Sequence, residues 1–92
     1  MSAPSRRYEV AFSTTAARQL RKLPAAVSER IVRAADRLAI DPRPPGLVKL
    51  EGADELYRIR VGDYRLIYQI ADEQLIVLIA RVAHSKDAYR RE

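Results

Sequence analysis

The sequence contains no cysteine and only one histidine. Without thiols the chain can form neither a disulfide framework nor a thiolate metal site, and a zinc cluster built on several imidazoles is excluded as well. Apolar runs are short too, since the longest, from Leu75 to Ala80, is far below the roughly 20 residues that cross a bilayer. We therefore expect no metal, no cofactor, no membrane association and a cytoplasmic location.

What the chain does contain is an ordinary globular composition with an excess of positive charge. Its 92 residues suffice for one modest core, so we expect a single domain over residues 1–92. Seventeen Lys and Arg residues against twelve Asp and Glu residues give a net charge of +5. The basic balance favours a polyanionic partner, either a nucleic acid or an acidic protein.

The first half predicts one strand and two helices. Alternating Tyr8, Val10 and Phe12 indicate a short strand. Hydroxyl side chains at residues 13–15 can cap a helix that runs to about Leu23. A second helix has an apolar stripe opposite a charged face: Val27, Ile31, Ala34, Ala35 and Leu38 oppose Glu29, Arg30, Arg33, Asp36 and Arg37. We expect the two helices to pack as a hairpin.

The second half predicts strands. The proline-rich connector at 41–46, "DPRPPG", ends the second helix because proline cannot continue it. Strands are predicted at 56–61, 64–70 and 75–82, while the conformation of the polar tail at 86–92 stays open. The order describes an α+β fold, in which an N-terminal strand, a helical hairpin and a three-stranded antiparallel meander form one small, mainly antiparallel sheet covered by helices.

The stretch "YRIRVGDYRLIY", residues 57–68, predicts a hairpin that turns at Gly62 and Asp63. This register pairs Val61 with Tyr64, Arg60 with Arg65, Ile59 with Leu66, Arg58 with Ile67, and Tyr57 with Tyr68. Paired residues share a face, so one face holds three tyrosines and three aliphatic residues, which we assign to the core. The other face looks outward and gathers Arg58, Arg60 and Arg65 beside Ile67 and Gln69.

Opposed cations on a sheet are destabilising, so the pairing of Arg60 with Arg65 indicates an anion site. Arginine suits phosphate because its planar fork donates two hydrogen bonds and stays charged at cellular pH. A plainer interpretation also stays open. The arginines would then form a solvated face above nearby carboxylates, namely Glu51, Asp54 or Glu55.

Residues 49–89, which contain this hairpin and close with "AHSKDAY", resemble the RelE/ParE superfamily of bacterial toxins. They are closer to the RelE arm, whose members cut messenger RNA in the ribosomal decoding site, than to the ParE arm, whose members act on DNA gyrase. The resemblance implies a RelE-like fold and a type II toxin with metal-independent endoribonuclease activity. It also implies an antitoxin, the ribosome and messenger RNA as partners, and a toxin–antitoxin hetero-oligomer.

The resemblance also implies roles for particular residues. It places Arg58, Arg60, Arg65 and Tyr89 in the cleavage site. To these we add Lys49, Arg81 and Lys86 as RNA-binding candidates. The closing motif departs from the family pattern, because Ser85 stands where an arginine is usual and Ala83 where a glycine is usual. Arg81 or Lys86 would have to substitute for that arginine. Lys49 and Lys86 are equally consistent with solvated side chains or with ribosomal RNA contacts. The basic face of the second helix is interpreted as a solvated face, with ribosomal RNA contact as the alternative.

Proton transfer needs a separate group, because guanidinium is almost never in its basic form. His84 is the natural acid or base in this sequence, with a surface histidine at a strand end as the alternative. Tyr89 could instead stack on the nucleotide or anchor the tail. A gyrase inhibitor of the ParE kind and a catalytically inactive RNA-binding relative, favoured by Ser85, remain the alternative functions.

Overall fold

The computed structural model describes residues 7–50, 52 and 55–88, with the backbone only for residues 87 and 88. The elements in this part are β1 (Glu9–Phe12), α1 (Thr14–Arg21), α2 (Ala25–Arg37), β2 (Val48–Lys49), β3 (Leu56–Val61), β4 (Tyr64–Ala71), β5 (Ile76–His84) and α3 (Ser85–Ala88). None of these helices is long and apolar enough to cross a membrane. The predicted α+β class is confirmed, since a five-stranded sheet carries the two main helices.

The two main helices begin where the sequence predicts. Ser13 caps α1, because its hydroxyl oxygen accepts the backbone N–H of Ala16 at 3.0 Å. Pro24 immediately precedes α2, and it suits that position because the first amide protons of a helix have no partner within it. The helices contact different parts of the sheet, α1 lying against β1 and β5 and α2 against β3.

The sheet has the strand order β1-β5-β4-β3-β2. The first strand therefore lies beside the last, parallel to it, while the other neighbours are antiparallel. Strand β2 was not predicted, because two residues carry no readable alternation; Val48 pairs with Arg58 and Lys49 with Tyr57. Strand β5 reaches His84, two residues beyond its predicted end, and a short helix follows at the start of the tail.

The predicted β3–β4 register is confirmed in all five pairs. Gly62 has a φ of 61°, the positive value that the first central position of a type II′ turn requires. The assigned core face is confirmed as well. Tyr57, Leu66 and Tyr68 are buried, and Tyr64 packs against the core from a half-buried position. Helix α2 completes this core with Ile31, Ala34, Ala35 and Leu38.

A β-bulge interrupts the pairing of β4 with β5. Ile67 pairs with Arg81 but Tyr68 pairs with Ile79, so Ala80 is the extra residue. Side chains from α1 satisfy the backbone here: the Ser13 hydroxyl donates to the Ala80 carbonyl at 2.9 Å, and the Val82 N–H donates to the Gln19 side-chain oxygen at 2.7 Å. The bulge puts Ile79 and Val82 on the same buried side and leaves Arg81 on the opposite one.

The proline-rich connector is attached to the sheet by polar contacts. Two guanidinium nitrogens of Arg43 donate to the two carboxylate oxygens of Asp72 at 2.9 and 3.1 Å, and the same group lies 5.5 Å from the Tyr57 ring centroid. The hydrogen bond to Asp72 raises the pKa of Arg43 above its ordinary value. The Tyr68 hydroxyl donates to the Pro42 carbonyl at 2.8 Å, and burial raises the pKa of this phenol.

Candidate active site

Four arginines lie on the face of the sheet that points away from the buried tyrosines. Arg58 and Arg81 are the register partners of Ile67 on its two sides, and Arg60 is the partner of Arg65. Neighbouring strands lie about 4.8 Å apart, so the backbones of Arg58 and Arg81 are about 10 Å apart. Arg81, whose face the sequence left undecided, thus shares a surface with the three predicted site arginines.

The prediction that all three hairpin arginines face solvent is wrong for Arg65. Its side chain is only 6% exposed, whereas Arg60 is exposed and Arg58 is half-buried. The plainer interpretation of a solvated arginine face therefore does not describe Arg65. Of the carboxylates suggested as its cover, Glu55 is exposed, and Glu51 and Asp54 lie outside the described residues.

The three arginines meet in one small depression. Its volume is about 190 Å³, and its lining consists of Gly46, Val48, Arg58, Ile59, Arg60 and Arg65. This volume suits a phosphate and its adjoining ribose better than a whole ligand, because pockets for complete small molecules measure about 300 to 1,000 Å³. Val48 and Gly46 were not predicted here, since they are brought in by the two-residue strand β2 and the connector before it.

Burial gives Arg65 a different chemical capacity from a surface arginine. A cation held in a region of low dielectric interacts more strongly with an incoming anion, and it needs little reorganisation at the moment of reaction. Arg60 is also held in place, because its Nε donates to the Gly62 carbonyl at 3.0 Å. The depression can therefore present two positioned guanidiniums to a single phosphate.

The substituted position of the closing motif lies at the same end of the hairpin. The Ser85 N–H donates to the Asp63 carbonyl at 2.7 Å, next to the Gly62 carbonyl that Arg60 contacts. An arginine side chain at position 85 would therefore be attached at this end of the site. Ser85 brings no charge there, and Arg81 approaches the same face from β5.

His84 is not brought together with the arginines. It is the register partner of Tyr64, and the two rings meet edge to face with centroids 5.0 Å apart. Paired residues share a face, so His84 lies on the side of the buried tyrosines. Its Nδ1 accepts the Lys86 N–H at 3.2 Å.

The other predicted site residues are scattered. Lys49 is exposed and is the partner of Tyr57, so it does not share the arginine face, and Lys86 is exposed on α3. Tyr89 lies outside the described residues. Within the described ranges, no group of three His, Cys, Asp or Glu side chains is placed to hold a metal ion.

The fold and the sequence place the chain among the small toxins of the RelE/ParE superfamily. The family model of the ParE toxin of type II toxin–antitoxin systems matches residues 10–89, so the chain belongs to that family. It is 40% identical over 85 residues to Toxin RelG of Mycobacterium tuberculosis, with 91% of this chain and 98% of RelG covered.

Two further relatives are similar over most of their length. The mRNA interferase toxin RelE of Escherichia coli is 31% identical over 77 residues, with 82% of this chain and 80% of that protein covered. The archaeal RelE–RelB complex from Pyrococcus horikoshii matches with a TM-score of 0.76 at 31% identity, over 85% of this chain and 94% of that chain. The predicted likeness to RelE toxins is confirmed.

Proposed function

We propose that this chain is a RelE-type endoribonuclease that cleaves messenger RNA on the ribosome without a metal ion. The observation that carries the proposal is the depression that Arg58, Arg60 and Arg65 line, in which Arg65 is the buried one. The similarity to an mRNA interferase toxin supports the same substrate.

The reaction makes three demands on the site. The ribose 2′-oxygen attacks phosphorus and gives up its proton, the phosphate gains negative charge as it becomes pentacoordinate, and the bond to the 5′-oxygen breaks as that oxygen takes a proton. The products are a 2′,3′-cyclic phosphate and a free 5′-hydroxyl. In this proposal Arg60 and Arg65 meet the second demand, because Arg60 is held by its hydrogen bond to Gly62 and Arg65 by burial, so that both need little reorganisation to stabilise the developing charge.

Arg58 and Arg81 complete the charge of the site. Arg58 lines the depression. Arg81 lies on the other side of Ile67, where its guanidinium can bind the phosphate next to the scissile one. In this proposal Arg81 provides the charge that Ser85 lacks. Tyr89 and, from the opposite face of the sheet, His84 are the residues to test for the two proton transfers, and Lys49 and Lys86 those to test for contacts with ribosomal RNA.

The proposal includes an antitoxin that covers the basic site, giving a toxin–antitoxin hetero-oligomer. The similar archaeal RelE was solved in complex with RelB. A net charge of +5 favours an acidic covering segment for this chain.

The test is a cleavage assay on programmed ribosomes. Purified protein is added to ribosomes carrying a defined message, and the new ends are mapped and analysed for cyclic phosphate. We expect cuts within the translated region that require the ribosome. Inhibited DNA supercoiling without cleavage would move the protein to the ParE function that its family model names, and RNA binding without either activity would identify an inactive relative.

A further inference from the structure

The first half of the proline-rich connector is anchored to the turn between β4 and β5. The Arg43 guanidinium forms a bidentate salt bridge with the Asp72 carboxylate, at distances of 2.9 and 3.1 Å. The Tyr8 hydroxyl donates to the same carboxylate at 2.7 Å. Asp72 therefore joins three segments that are distant in sequence: the residue before β1, the connector and the β4–β5 turn.

Further contacts fix the orientation of the connector at this point. The Asp41 carboxylate accepts the Arg43 backbone N–H at 3.2 Å, and the Tyr57 ring centroid lies 5.5 Å from the guanidinium. The Tyr68 hydroxyl donates to the Pro42 carbonyl. A planar guanidinium with two hydrogen bonds to one carboxylate and an aromatic ring beside it has little freedom to rotate. The contacts therefore define one position for this part of the chain.

An isolated ion pair at this exposure would do little. The Arg43 and Asp72 side chains are 42% and 46% exposed, and exposed pairs usually contribute little to the stability of a fold. Bidentate geometry and membership in a network are the exceptions, and both apply here. We therefore expect the salt bridge to act on the position of the connector more than on the stability of the whole fold.

The end of the connector and β2 form one wall of the candidate active site. Gly46 and Val48 line the depression together with the three site arginines. Strand β2 is poorly suited to hold this wall alone, because it has only two residues and lies at the edge of the sheet. A hydrogen bond from the Leu50 N–H to the Leu56 carbonyl extends its pairing by one residue. The wall therefore needs support from the connector.

The chain between the anchor and the wall is short and stiff. Pro44 and Pro45 follow Arg43 directly, and each ring restricts φ. The Leu47 N–H donates to the Pro44 carbonyl at 3.2 Å and closes a turn in which Gly46 has a φ of 89°. Proline in the second position and glycine in the third are the residues that a type II turn favours. A displacement of Arg43 is therefore transmitted to the wall rather than absorbed by the connector.

We propose that Arg43 is a positioning residue for the candidate active site. Through Asp72 it fixes the connector, the connector fixes β2, and the wall that they form keeps Arg65 buried. Arg43 is not among the described residues that line the depression, so it acts through this wall and not on a bound phosphate. The expected effect on cleavage rests on the proposed function, whereas the effect on the burial of Arg65 does not.

The first experiment measures the accessibility of Arg65 without any cleavage. Phenylglyoxal, which modifies accessible guanidiniums, is applied to the folded full chain, and mass spectrometry quantifies modification in peptides cut after glutamate. Residues 56–73 form one such peptide and contain Arg58, Arg60 and Arg65, so their rates are compared internally. In the parent, buried Arg65 should react more slowly than exposed Arg60. In Arg43→Ala the rate at Arg65 should rise about fivefold or more, because the wall opens locally.

Matched variants separate positioning from stability and from charge. Asp72→Asn removes the ionic partner and leaves the connector sequence intact, so it should accelerate modification in the same way and carries the test if Arg43→Ala does not fold. Leu20→Ala removes packing from α1, which contacts β1 and β5, and Arg21→Ala removes a positive charge from exposed α1. Both should leave the rate at Arg65 within about twofold of the parent. Circular dichroism and thermal unfolding check that each variant is folded.

The second experiment measures the consequence for the reaction. Arg43→Ala should lower the single-turnover cleavage rate on programmed ribosomes about tenfold or more, while its affinity for ribosomes changes less than about threefold. The separation is expected because the site arginines keep their charges and lose their placement. Arg21→Ala should cleave at nearly the parental rate. A loss of affinity as large as the loss of rate would make Arg43 an RNA contact and overturn its positioning role.

Three further results decide the proposal. Unchanged modification of Arg65 in folded Arg43→Ala and Asp72→Asn would overturn the positioning role, whatever the cleavage assay gives. Equal acceleration in Leu20→Ala would overturn it as well, because Arg65 would then report only the stability of the fold. A parent that does not cleave RNA, but in which Arg65 becomes reactive when Arg43 is replaced, would refute the proposed function and support the positioning role.

Discussion

Arg65 is the residue at which folding and the proposed function conflict most clearly. Removing a guanidinium from water costs free energy, and a second cation directly opposite on β3 adds repulsion. A bound phosphate would relieve the repulsion between the two cations, which is the physical reason that the proposed function gives for the arrangement.

Replacing Arg65 by alanine should separate activity from stability. We expect Arg65→Ala to lower the single-turnover cleavage rate about thirtyfold to a thousandfold, since about 2 to 4 kcal/mol of transition-state stabilisation is lost. The protein should remain folded, because relief of the like-charge pair with Arg60 offsets part of the packing that is lost. Arg21→Ala on exposed α1 is the control. A folded Arg65→Ala protein that cuts RNA at the parental rate would remove the arginine site from the mechanism.

His84 can be tested as a proton-transfer group by substitution with glutamine. If it carries a proton in the reaction, His84→Gln should lower the single-turnover rate about a hundredfold or more. If its role is the edge-to-face contact with Tyr64, the rate should stay near that of the parent while thermal stability falls. Measuring both quantities on the same preparation distinguishes the two roles, and an unchanged rate would leave Tyr89 as the residue to test next.

Among the elements, β5 depends on α1 for its shape. The bulge at Ala80 frees backbone groups that Ser13 and Gln19 then satisfy. Arg81 follows immediately, so the direction of its side chain depends on a contact made by a helix some 60 residues earlier in the chain.

Gln19→Ala should therefore weaken the fold. It leaves the Val82 N–H without its side-chain acceptor, and we expect the free energy of unfolding to fall by about 1 to 3 kcal/mol. Urea unfolding followed by circular dichroism measures this, with Arg18→Ala on the exposed side of α1 as the control. Equal midpoints for the two variants would mean that the bulge needs no support from α1.

The Tyr68 hydroxyl joins β4 to the connector. Its raised pKa predicts that the stability of the fold falls at alkaline pH. Burial raises the pKa of Tyr68 above the ordinary tyrosine value of about 10, so its contribution to stability is fully present below that pH. As the pH rises further, the unfolded chain loses this proton while the folded chain keeps it, and stability falls.

Tyr68→Phe should make the unfolding free energy fall less steeply above pH 10 than it does in the parent. At neutral pH the same variant should be less stable by about 1 to 2 kcal/mol, because the Pro42 carbonyl loses its donor. Urea titrations across this pH range test both statements, with Tyr64→Phe as the half-buried control. Parallel curves for parent and Tyr68→Phe would contradict the assigned cause.

At the scale of the whole molecule, net charge governs association with a polyanion. If the four arginines of the sheet face each displace one counterion from RNA, binding to ribosomes should weaken about 50-fold to 150-fold between about 50 and 200 mM salt. Sedimentation of the protein with ribosomes measures this dependence. Arg58→Gln should reduce the slope by about one contact, and an affinity independent of salt would exclude phosphate contacts as the main source of binding.

The sequence by itself determined the local features of this protein. The alternation of apolar and polar residues on both sides of Gly62 and Asp63 determined the β3–β4 register and the buried tyrosine face. A slip of one residue would exchange the two faces. Prolines at 42, 44 and 45 ended the second helix. The similarity to RelE toxins was readable because it lies in this same continuous stretch.

Only the tertiary structure decided the features that join distant segments. Burial of Arg65 and the formation of the depression beside it depend on where β2 and the connector lie against β3. The parallel pairing of β1 with β5 has no local signature, and the bulge that turns Arg81 onto the arginine face is stabilised from α1. Periodicity records which side chains share one face of an element. Burial and site geometry depend instead on which elements meet. The residues of the candidate site could therefore be predicted from the sequence, but the burial of Arg65 could not.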